Sequence, residues 1–93
     1  MITDVHFAGM PRFYMHVLNG DGWTRDKEGV ELADLAAALG EALKGARDLM
    51  ASEVQAGTLD LSALIAIGDE RGREVHRLLF SDAITLTGLP GRG

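Results

Sequence analysis

Only one stretch of this chain, Leu35 to Ala56, repeats apolar residues at helical spacing for long enough to form a substantial helix, and every other segment has to be arranged around it. Leu35, Leu39, Ala42, Leu43, Ala46, Leu49, Met50 and Val54 recur at intervals of three and four. They form a single stripe, with Glu41, Lys44, Asp48, Ser52 and Gln55 on the other side. Asp34 is the expected N-cap, because its carboxylate can accept from the backbone N–H groups left free in the first turn and lies favourably on the helix dipole. Gly57 supplies the stop. Gly40 and Gly45 lie inside the helix at a cost of about 1 kcal/mol each relative to alanine, which close approach of the helix to a sheet would explain.

The flanking segments carry the twofold period of strands. From Arg12 to Leu18, Phe13, Met15 and Val17 alternate with Arg12, Tyr14, His16 and Leu18. Asn19-Gly20-Asp21-Gly22 then reverses the chain, so that Trp23 to Arg25 pairs back as a hairpin. Asp26-Lys27-Glu28-Gly29 is a second turn, and Val30-Glu31-Leu32 is a short extended piece before the helix. Beyond Gly57, Leu61 to Ile67 is a strand with Leu61, Ala63, Ile65 and Ile67 facing away from Ser62, Leu64 and Ala66. Asp69-Glu70-Arg71-Gly72 turns it into Arg73 to Phe80, where His76, Leu78 and Phe80 oppose Val75, Arg77 and Leu79 and the pattern does not decide which set is inside. Ala83 to Thr87 is expected as a short edge strand. The fold class is therefore α+β: an antiparallel sheet of about four strands in β-β-α-β-β order, with one long helix packed on one face. One domain spans 10–87, preceded by an N-terminal extension over 1–9, with Met10 as a conceivable internal start, and followed by a flexible tail over 88–93.

Composition narrows the function classes. Ninety-three residues make a single core, with roughly 60 to 70% of the unfolded chain's surface buried on folding. Nine Lys and Arg against 14 Asp and Glu give a net charge of −5, which makes nucleic acid an unlikely partner. The absence of cysteine removes disulfides, thiolate metal sites and cysteine nucleophiles. No apolar run approaches the ~20 residues of a membrane helix and no signal-peptide pattern opens the chain, so a cytoplasmic location without membrane association is expected.

No catalytic signature emerges, and the expectation is a protein that is not an enzyme and needs no metal or cofactor. The oxygen-bearing side chains Asn19, Asp21, Asp26, Glu28 and Glu31 fail the spacing of a calcium loop, since Trp23 or Arg25 falls where a ligand is needed. No Ser or Thr sits in a nucleophile-elbow setting. Tyr14, His16 and His76, on strands that can be neighbours, are the ligand-binding candidates, for a small molecule or a metal, although no local metal-ligand motif includes them. The face carrying Arg12, Tyr14 and His16 superficially resembles a base-stacking sheet, but with one ring and an acidic chain an RNA-binding or antitoxin-like role ranks last. A single helix covers one face of such a sheet, yet both faces carry apolar groups. Tyr14, His16, Leu18 and Leu64 are thus the candidates for an interface with a second copy or another protein. A non-catalytic interaction or self-associating module is the preferred function.

Met10-Pro11-Arg12-Phe13-Tyr14-Met15-His16-Val17, then Asn19-Gly20-Asp21-Gly22 and Asp26-Lys27-Glu28-Gly29-Val30-Glu31-Leu32, resembles a family of small uncharacterised bacterial proteins, a domain of unknown function. Ala46-Arg47, Ile65-x-Ile67-x-Asp69-Glu70-x-Gly72 and Leu79-Phe80-Ser81-Asp82-Ala83 extend the similarity over most of residues 10 to 87. The resemblance implies a domain beginning at the Met-Pro-Arg and places His16 in the opening signature. It implies no activity and no catalytic residue.

Overall fold

A computed structural model describes residues 10–88; the expected extension over 1–9 and all but the first residue of the expected tail lie outside the described residues. The elements are β1 (Arg12–Asn19), β2 (Gly22–Thr24), β3 (Val30–Glu31), α1 (Leu35–Gln55), β4 (Leu64–Gly68) and β5 (Glu74–Leu79), with a 3-10 turn over Phe80–Asp82. The five strands form one antiparallel sheet in the order β2-β1-β4-β5, with β3 also paired to β1, so the architecture is α+β. β1 is long enough to hold β2 and β3 in succession along one edge and β4 along the other.

The helix ends where local chemistry dictates. Asp34 Oδ1 accepts from the Ala37 N–H at 2.9 Å. At the other end Gly57 takes a φ of +92°, and Thr58 N–H reaches back to the Glu53 carbonyl. The buried face is narrower than the expected stripe: Ala38, Ala42, Ala46 and Met50 are buried, Leu39 and Leu43 flank them, and Leu49 and Val54 are 42% and 60% exposed. Alanine at every fourth position lets the helix axis sit close to β4, so the bulkier leucines are pushed to the rims. The two internal glycines do not serve that approach: a Cβ at Gly45 would meet Ile65 Cδ1 at 3.9 Å, an ordinary contact, and one at Gly40 would meet nothing within 4 Å.

Phe13, Met15 and Val17 of β1, Ile65 and Ile67 of β4, and Leu78 of β5 face the helix, with Phe80, Ala63 and Ala83 closing the core. Phe80 and Ile67 are its largest fully buried side chains. Each contributes about 1.5–3 kcal/mol of hydrophobic stabilisation.

Two sequence expectations change, and one open parity is decided. β4 starts at Leu64 and not Leu61, because the Asp60 carboxylate accepts from both the N–H and the hydroxyl of Ser62 and bends the chain there. Ala83 to Thr87 is not a strand. The chain turns inward at Phe80, whose N–H bonds the Ala63 carbonyl, and Arg47 Nε, near the middle of the helix, holds the Ala83 carbonyl at 2.8 Å, which ties this segment to the helix instead of to a sheet edge. The parity of β5 is set by a bulge: Ile67 pairs with His76 but Gly68 pairs with Glu74, leaving Val75 as the extra residue. His76 and Leu78 therefore share the helix side, while Glu74, Arg77 and Leu79 share the reverse side.

Candidate functional site

The reverse face of the sheet carries no helix among the described residues. Its floor is Leu64 and Ala66 of the central strand, buried at 7% and 3% exposure between the side chains of the flanking strands. Tyr14, His16 and Leu18 stand half-buried along β1, and Trp23, paired with Leu18, is 41% exposed. Leu79, 39% exposed, lies opposite Leu64 on the far edge. The four interface candidates thus occupy one continuous surface, and Trp23 and Leu79, which sequence reasoning misses, belong to it as well. The signal was present: Trp23 is the only tryptophan in a chain with few rings, and hairpin register places it on the side of Leu18.

The ligand candidates separate. Tyr14 and His16 stack with ring centroids 6.3 Å apart and planes within 9°, but His76 is opposite Ile67 on the helix side of the sheet. A site shared by His16 and His76 would need both on one face. No cluster of three or more His, Asp or Glu suited to a metal occurs among the described residues.

What surrounds His16 instead is a loop held by Asp26. A regular ladder would place Glu28 opposite Phe13, yet Val30 stands there, so two residues are taken up between β2 and β3. The Asp26 side chain fills the gap, with Oδ2 accepting from the Met15 N–H at 3.0 Å and Oδ1 from the N–H groups of Glu28 and Gly29 at 3.2 and 3.0 Å. Burial pushes the Asp26 carboxyl up, but these backbone donors outweigh it and hold it below its ordinary 3.8. The Asp26 N–H in turn donates to His16 Nδ1 at 3.0 Å, which fixes the neutral ring with its proton on Nε2. Gly29, at φ +68°, presses against this strand: a Cβ there would lie 2.8 Å from Tyr14 Cε2 and from the Phe13 carbonyl oxygen.

Between this loop and the β4–β5 turn lies a recess of about 200 Å³ lined by His16, Trp23, Arg25, Ala66, Gly68, Gly72 and Glu74. His16 also borders a neighbouring, shallower hollow with Tyr14, Asp69 and Glu70. The Arg25 guanidinium stacks over Trp23, 4.6 Å from the ring centroid. The bulge in β5 brings Glu74 and Arg77 to the same face, where Arg77 bonds both carboxylate oxygens at 2.8 and 2.9 Å. Those bonds lower the Glu74 carboxyl and raise the Arg77 guanidinium. Asp69 is similarly held low, chiefly by the Arg73 N–H that closes its turn.

The model of a domain of unknown function, DUF6894, matches residues 12–81. The chain belongs to the DUF6894 family. Within that span fall every strand, the helix, and all residues named above around the reverse face, so the DUF6894 match coincides with the folded unit and its candidate surface. No curated protein and no solved structure matches the chain.

Proposed function

We propose that this domain is a non-catalytic interaction module that pairs through the reverse face of its sheet, with a second copy as the first partner to test. The observation that carries the reading is one-sided cover: α1 packs on one face only, and the other face presents Trp23, Leu79, Leu18 and Tyr14 over an apolar floor. Exposed tryptophan and tyrosine are the residues that most often anchor protein interfaces. The two sheet edges are poorer docking sites. One is broken by the Asp26 loop, and the other, β5, is bulged and carries the Glu74–Arg77 pair, both devices that discourage strand addition.

Sedimentation equilibrium over a wide concentration range tests the proposal. Reversible dimers are expected, weakened at least tenfold by Trp23→Ser combined with Leu79→Ser. A strictly monomeric chain at millimolar concentration would overturn self-association.

A further inference from the structure

The geometry points to a second property of the reverse face: the recess between Trp23 and Gly72 binds a carboxylate, held by the Arg25 guanidinium and the Nε2–H of His16. The inference does not rest on self-association, since all its groups come from one chain.

Two donors line the recess without partners among the described residues. His16 has Nδ1 occupied by the Asp26 N–H, so in the neutral ring the remaining nitrogen can only donate. That nitrogen faces the recess floor, where a Cβ on Gly68 would lie 3.5 Å from it. Arg25 forms no ion pair with a described carboxylate, and its guanidinium carbon lies over the Trp23 ring, 4.6 Å from the centroid. The one carboxylate lining the recess, Glu74, already has both oxygens on Arg77 and does not compete for Arg25. An unspent planar cation, an unspent neutral donor and a flat ring are complementary to a planar oxyanion carrying a small apolar group. At about 200 Å³ the space is below the roughly 300 Å³ at which larger ligand sites begin, so the occupant has few heavy atoms. Gly68 and Gly72 keep the floor free of side chains.

The same chemistry has two sources, a free small organic acid or an acidic side chain of a peptide. Both can be titrated into uniformly labelled protein, kept dilute enough to be monomeric, while the backbone shifts of Gly68 and Gly72 and the Trp23 indole resonance are followed. Sodium benzoate and a blocked peptide with one glutamate are the probes, and benzamide is the uncharged control. Saturable shifts with either acid and none with benzamide are expected. A tenfold preference for the peptide would assign the carboxylate to a protein partner, and the opposite preference to a free acid. Arg25→Gln, at an exposed position where an unchanged circular dichroism spectrum is expected, should weaken binding about tenfold. Gly68→Val, which puts methyl groups against His16, should do so by filling the recess. Equal binding of benzamide, absence of saturation with both acids, or unchanged affinity in folded Arg25→Gln would overturn the assignment. A monomer that still binds benzoate would leave this inference standing while removing the dimer.

Discussion

Asp26 is a single side chain on which an irregular sheet edge depends. Its carboxylate replaces a backbone partner for Met15 and closes the loop through Glu28 and Gly29, so removing it leaves three donors to find water or nothing. Asp26→Ala should cost about 2 kcal/mol in urea unfolding. Asp26→Asn should cost about half that, because its amide oxygen can still accept from Glu28 and Gly29 while its NH₂ opposes the Met15 N–H. The same site sets an acid dependence. Because the folded carboxyl lies below 3.8, its stabilisation is complete above that value and is lost as pH falls through the folded pKa. Asp69 and Glu74 are shifted in the same direction. Urea midpoints should therefore decline below pH 4, less steeply in Asp26→Asn than in wild type. At this scale the sequence shows Asp26 as the first residue of a turn, which it is. Its bond to Met15 is invisible there, because nothing local reveals that two residues must be absorbed beside β1.

At the level of elements, signals confined to a few neighbouring residues were legible and those requiring a partner were not. Asp34 and Gly57 mark the helix ends because capping is local chemistry, and the alternation over Arg12 to Leu18 sorts β1 correctly because strand period is local too. The start of β4 was missed because Leu61 and Ala63 keep the alternation through a bend made by Asp60. The parity of β5 could not be read, since a bulge is defined only against the opposing strand. His76 thereby parted from His16, and the candidate pair dissolved. The helix also offers a stabilising change. Gly40 is open on the side a Cβ would occupy and has no positive φ, so Gly40→Ala should add about 0.5–1 kcal/mol and raise the Tm by roughly 4 °C in a calorimetric scan. A loss of stability would overturn the reading of this position as open. Gly29→Ala is the opposite case: the left-handed φ and contacts of 2.8 Å leave no room, and a loss of more than 1 kcal/mol is expected.

For the molecule as a whole, asymmetry is the governing feature. β4 is buried along its entire length between β1 and β5, whereas β5 is exposed over most of its length. Amides of β4 should therefore exchange only on global unfolding, and those of β5 that do not bond β4 should exchange by local opening. This difference separates two ways in which copies could associate. Strand addition at β5 would give new hydrogen-bond partners to its outward amides, and their protection would rise with protein concentration. Packing through the reverse face would leave those amides as they are and instead remove Trp23 from solvent. Across the concentration range where sedimentation is expected to report dimers, β5 exchange is expected to stay constant while acrylamide quenching of the single tryptophan falls. Rising β5 protection with unchanged quenching would transfer the interface to the edge. The bulge at Val75 and the Glu74–Arg77 pair oppose that outcome, because a partner strand would have to match an irregular spacing beside two charges already satisfied by each other.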